Sequence, residues 1–96
     1  MAKLELTESF EKAISKVPID IQEKAADKID NLLGGKTGSI RLHRLTGFRP
    51  PLWKMDVLPN KSWQIVLEIN GDTYRLLDIA THKEMDRYSQ KKRAKR

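Results

Sequence analysis

Trp63-Gln64-Ile65-Val66-Leu67-Glu68-Ile69-Asn70-Gly71-Asp72-Thr73-Tyr74-Arg75-Leu76-Leu77-Asp78-Ile79-Ala80 decides the fold. Trp63, Ile65, Leu67 and Ile69 alternate with Gln64, Val66 and Glu68, the two-residue period of a strand with one buried face. Residues 74–80 are a second run of strand formers. Asn70-Gly71 between the two runs signals a tight hairpin, because glycine accepts the left-handed backbone such turns need. Upstream, Trp53, Met55 and Val57 alternate with Leu52, Lys54, Asp56 and Leu58. The short link from Leu58 to Trp63, with Pro59 and Asn60, predicts another hairpin. Three strands therefore form an antiparallel meander.

The chain before the meander has a different period. Leu4 and Leu6 alternate with Lys3 and Glu5, as in a short half-buried strand. Thr7 is placed to cap a helix with Glu8 in its first turn. Phe10, Ala13, Ile14 and Val17 give that helix one apolar face. Pro18 ends it, since proline brings no N–H and restricts the residue before it. A second helix starts near Ile19 with a stripe of Ile21, Ala25, Ile29 and Leu32, widened by Leu33. Gly34 and Gly35 stop it. The expected architecture is α+β: an N-terminal strand, then a two-helix hairpin packed on the meander, then a short C-terminal helix reaching Tyr88. The meander face bearing Trp53, Met55, Val57, Ile65 and Leu67 packs on the helices. The other face displays Lys54, Asp56 and Gln64. Residues 34–52 read as an irregular surface loop.

Ninety-six residues support one core, assigned to residues 1–89. Residues 90–96 carry five Lys or Arg in seven positions, and self-repulsion predicts a disordered tail. A hydrophobic content of 39% is too high for a wholly disordered chain. There is no cysteine, which excludes disulfides, thiolate zinc sites and a cysteine nucleophile. No apolar run approaches a membrane span, and the N-terminus lacks a signal-peptide core. The expectation is a cytoplasmic protein with no membrane partner.

Charge is divided unevenly. Residues 1–35 hold five Lys against seven Asp or Glu, net −2, and residues 36–96 hold fourteen Lys or Arg against six, net +8. A basic half suggests a surface that meets a polyanion, and nucleic acid is the polyanion expected. A solvated basic surface with a loose tail is the plainer alternative.

No phosphate-binding glycine loop is present, since Gly34-Gly35 and Gly38 lack the spacing and the Lys-Ser/Thr pair. Two histidines fall short of the three or four ligands zinc wants, so neither a metal nor another cofactor is expected. His43 and His82 suit acid–base work, because histidine takes and returns a proton near neutral pH. RNA cleavage needs a base for the 2′-hydroxyl, an acid for the leaving 5′-oxygen and cations for the phosphate. His43 lies in Arg41-Leu42-His43-Arg44 before the meander, and His82 follows its last strand, beside Lys83. Arg75 and Arg87 offer positive charge. Tyr88 offers an aromatic face for a base or a hydroxyl. The bland reading stays open: His43 bonds a loop carbonyl and His82 caps a strand end.

Five strings fall in a characteristic order: Leu42-His43-Arg44-Leu45-Thr46-Gly47, Trp53-Lys54-Met55, Trp63-Gln64-Ile65-Val66, Ile69-Asn70-Gly71-Asp72, and Thr81-His82-Lys83 with Tyr88. In this order and spacing the chain resembles the RelE/ParE superfamily of type II toxin–antitoxin toxins, nearest the HigB and YafQ branches, from about Leu4 to Tyr88. The resemblance implies a microbial RNase fold that cuts mRNA at the ribosome without a metal and inhibits translation. It also implies a cognate antitoxin. It makes His82 the leading acid–base residue, with His43 as partner and Tyr88 as a further catalytic residue. Lys54, Arg75 and Arg87 hold phosphate, with Arg41, Arg44, Arg49, Gln64 and Lys83 along the nucleic-acid-binding surface.

The chain departs from the family pattern twice. Gln64 stands where many nuclease members have arginine, and Asp56 stands where lysine or histidine is common. Arg49 is a candidate substitute from the loop. The resemblance therefore leaves two alternatives: a ParE-like non-nuclease toxin acting on DNA gyrase, or a catalytically weakened nucleic-acid-binding relative.

Overall fold

The computed structural model describes residues 2–35, 42–45, 51–58 and 62–85. Among these residues seven elements follow in order: β1 (Lys3–Leu6), α1 (Glu8–Ser15), α2 (Ile19–Leu33), β2 (Leu42–Leu45), β3 (Leu52–Asp56), β4 (Trp63–Asn70) and β5 (Thr73–Thr81). The architecture is α+β, as the sequence predicts.

Thr7 caps α1: its Oγ1 accepts from Phe10 N at 3.2 Å and donates to Leu76 O at 2.8 Å. One hydroxyl thus satisfies an orphan helix donor and ties the helix start to β5. Ser9 Oγ reinforces the tie by donating to Leu77 O. At the other end of α1, Gln22 Nε2 donates to Ile14 O and Val17 O, closing the bend before α2. Pro18 is the N-cap residue of α2, and Gly34 is its C-cap.

The strands form one sheet in the order β1-β5-β4-β3-β2. β2 through β5 run antiparallel in succession, and β1 joins the far edge parallel to β5. The β4–β5 turn is the two residues Gly71 and Asp72, because Asn70 already pairs with Thr73. Gly71 takes the positive φ of 63° at the first corner of that turn.

Trp53, Met55, Val57, Ile65 and Leu67 face the helices as expected, with Leu76 and Ile79 beside them. Phe10, Val17, Ala25 and Leu32 meet them from the helical layer. β5 keeps both its faces filled by means of a bulge. The ladder steps from Val66↔Asp78 to Leu67↔Leu76, so Leu77 is the extra residue. This resets the alternation. Leu76 and Ile79 therefore both reach the helix-side core, while Leu77 and Ala80 both reach the opposite face.

Two expectations need correcting. Residues 34–52 are not a single irregular loop, because Leu42–Leu45 pair with Leu52–Met55 as the edge strand β2. Leu42 packs with the helix-side core and Leu45 with the opposite face, so two leucines three positions apart do not show as alternation. Nor is the face away from the helices an open display of Asp56 and Gln64. It carries a second apolar cluster of Val66, Ala80 and Met85, flanked by Leu45, Leu52 and Leu77. Asp56 and Gln64 are buried on it.

After β5 the chain makes a hydrogen-bonded turn over residues 82–85, with Met85 N donating to Thr81 O and His82 O. The rest of the expected helix toward Tyr88, and the tail at residues 90–96, lie outside the described residues. Among the described residues no helix is long and apolar enough to cross a membrane.

Candidate nucleic-acid site

His43 stands directly opposite Lys54 in the β2–β3 pair, and Lys54 opposite Val66 in the next. Opposed residues of an antiparallel pair share a face, with Cβ atoms about 5 Å apart. Val66 belongs to the cluster away from the helices, so His43 and Lys54 belong to that face as well. His43 is exposed and Lys54 half-buried. They make a cationic and titratable pair at the β2 edge. Arg44 pairs with Trp53, which packs on the helix-side core, so the arginine projects from the other face.

Gln64 and Asp56 face each other across β3 and β4, and Gln64 Nε2 donates to Asp56 Oδ1 at 2.7 Å. The amide that the sequence placed on the phosphate-binding surface is therefore turned inward, 1% exposed and bonded to a carboxyl group.

Arg75 is likewise committed. It lies in register between Glu5 on β1 and Glu68 on β4. Its Nη1 is 3.1 Å from Glu68 and its Nε 3.6 Å from Glu5. Two carboxylates around one guanidinium offset its charge. Each exposed pair contributes only ~0–1 kcal/mol to stability, so the effect on a phosphate matters more than the effect on the fold.

His82 is exposed at the opposite corner, where its backbone N donates to Ser62 O at 3.0 Å. Lys83 beside it is exposed as well. The register sets its separation from His43. The row His43–Lys54–Val66–Asp78 crosses β2 to β5, and His82 follows the end of β5, four residues beyond Asp78. That is about 13 Å along the strand and about 14 Å across three strand spacings. The two histidines share the sheet but not one phosphate. Arg41, Arg49, Arg87 and Tyr88 lie outside the described residues.

Sequence reading missed a further feature beside His82. Thr81 and Glu84 form a reciprocal cap: Thr81 N donates to Glu84 Oε1 at 3.0 Å, and Glu84 N donates to Thr81 Oγ1 at 3.1 Å. The signal was present as Thr-x-x-Glu, the pattern that starts helices. The Asp56–Gln64 bond had no such signal, because it depends on the register of two strands.

No protein-family model matches the sequence, and no curated relative matches it significantly. Solved structures do match. A chain of the RelB–RelE antitoxin–toxin complex from Methanococcus jannaschii aligns over 88% of this chain and 96% of its own, with a TM-score of 0.70 and 17% identity. The chain has the RelE-like toxin fold. A copper-bound mutant toxin from Helicobacter pylori aligns over 88% of this chain and 99% of its own, with a TM-score of 0.69 and 24% identity. A metal-bound toxin from the same organism gives a TM-score of 0.63 at 18% identity over the same shares. Among the described residues of this chain, no three His, Cys, Asp or Glu side chains group as metal ligands.

Proposed function

We propose that this chain is the toxin of a toxin–antitoxin pair and acts as a ribosome-dependent mRNA endoribonuclease that stops translation. The placement of His82 carries this reading. It is a solvent-facing imidazole on a backbone pinned by hydrogen bonds at the end of β5, in a fold shared with toxins. In the proposed reaction a 2′-hydroxyl attacks the adjacent phosphorus as its proton passes to a base. The P–O5′ bond breaks, and the leaving oxygen takes a proton from an acid. The products are a 2′,3′-cyclic phosphate and a free 5′-hydroxyl, with no metal required. His82 is the proton-transfer group, and Tyr88 keeps the catalytic role the resemblance gives it. The separation of the histidines divides the labour: His43 and Lys54 grip the strand away from the scissile phosphate.

The partners proposed are mRNA, the ribosome and a cognate antitoxin, which places the protein in the cytoplasm. Induced expression followed by mapping of mRNA 5′ ends tests the reading. New ends within translated frames, lost in His82→Ala, are expected. Intact mRNA in arrested cells refutes it.

The commitment of Arg75 to two carboxylates and the burial of Gln64 favour one second reading. They leave Lys54 as the phosphate contact on the described part of the sheet face, which fits a nucleic-acid-binding relative with weakened catalysis. RNA binding without cleavage would mark it. Inhibition of gyrase supercoiling would instead mark a ParE-like toxin.

A further inference from the structure

We infer that Thr81 and Glu84 are positioning residues for His82; the inference rests on the proposed role of His82 in RNA cleavage. His82 sits inside the reciprocal cap. Glu84 Oε1 accepts from both Thr81 N and Thr81 Oγ1, at 3.0 and 3.2 Å, and Glu84 N returns a bond to Thr81 Oγ1 at 3.1 Å. The backbone on either side is held as well. His82 N donates to Ser62 O, and Met85 N donates to Thr81 O and His82 O. The Met85 side chain is 6% exposed in the cluster with Val66 and Ala80, which anchors the far end of the turn to the sheet.

The exposure pattern separates this device from one that only holds the fold. Thr81 is half-buried and Glu84 exposed, and all three cap bonds lie at the surface. Such bonds add little to global stability. They act on the direction of the Cα–Cβ bond of His82, whose imidazole stays in solvent. A proton-transfer group must hold its geometry within fractions of an ångström, and errors near 1 Å cost on the order of 100-fold in rate. The glutamate acts here as a hydrogen-bond acceptor. A glutamine retains that acceptor and loses the charge.

The test uses the full chain with four substitutions: Glu84→Ala, Glu84→Gln, Thr81→Val and Thr81→Ser. Steady-state cleavage of mRNA on ribosomes gives kcat and KM, and amide hydrogen exchange reads residues 82–85 without any activity. Glu84→Ala and Thr81→Val are expected to speed exchange at the His82 amide. They should also lower kcat on the order of 10–100-fold, with KM changed by less than about twofold. Glu84→Gln and Thr81→Ser should restore both quantities. Glutamine behaving like alanine would overturn the inference, as would Glu84→Ala cutting at the parent rate. A parent chain that cuts no RNA would refute the nuclease reading itself. Exchange then decides the inference alone, and an unchanged His82 amide in Glu84→Ala overturns it.

Discussion

Gln64 Nε2 donates to Asp56 Oδ1 at 2.7 Å across β3 and β4, and the two side chains are 1% and 5% exposed. The bond satisfies one atom of each residue, and Asp56 Oδ2 and Gln64 Oε1 are buried with no partner among the described residues. A buried polar pair of this kind is costly to break and cheap to replace as a unit. Asp56→Ala or Gln64→Ala alone should destabilise the protein by about 1–3 kcal/mol, since each strands the other group. The double change to Asp56→Val with Gln64→Leu should be near neutral or stabilising. Urea denaturation compares the parent, the two single variants and the double variant. A loss in the double as large as the sum of the two single losses would show that the pair does not act as a unit.

Lys54 and His43 are cross-strand partners on the face proposed to hold RNA. Lys54→Ala should weaken RNA binding about equally for all sequences. It should also reduce the slope of log affinity against log salt by about one unit, the signature of one lost phosphate contact. Fluorescence anisotropy over a salt series measures both. Arg44→Ala serves as the contrast, because Arg44 projects from the helix-side face and should change neither quantity appreciably.

Thr7 ties α1 to β5 through one hydroxyl. Thr7→Ala should cost about 1–2 kcal/mol from the lost helix cap and the lost bond to Leu76 O, whereas Thr7→Ser should retain most of the stability. Thermal denaturation compares the three proteins.

Met85→Ala should cost about 2 kcal/mol, the low end for a buried methionine, because its cluster lies near the surface. The loss should be accompanied by faster exchange at the His82 amide. A stability loss with unchanged exchange would separate the Met85 anchor from the turn.

The sequence revealed the elements whose apolar residues keep one period. Phe10 to Val17 and Ile21 to Leu32 showed the helices, and Trp53 to Val57 and Trp63 to Ile69 showed two strands. The face those strands turn to the helices also followed from alternation. β2 stayed hidden because Leu42 and Leu45 serve opposite faces within four residues. The β5 bulge likewise escaped detection, since Leu76 and Leu77 read alike and only the ladder separates them.

The candidate site was legible to a lesser degree. Residue type alone identified His43, Lys54 and His82 as groups with useful chemistry. Whether a polar residue on a strand meets solvent depends on what covers that face. Met85, arriving from beyond β5, helps cover the face that carries Gln64, and nothing local to Gln64 announces it. The neutralisation of Arg75 required β1 to come alongside β5 in parallel, a long-range pairing that no local pattern contains.

His82 is proposed to transfer a proton during cleavage of mRNA on the ribosome. The most direct test adds purified protein to a reconstituted translation reaction with a defined message and maps the cut ends. Cleavage is expected only when ribosomes are present, with products ending in a 2′,3′-cyclic phosphate and loss of cutting in His82→Ala with the fold intact. Cleavage by His82→Ala at the parent rate would contradict this proposal, as would a parent chain that leaves ribosome-bound mRNA whole.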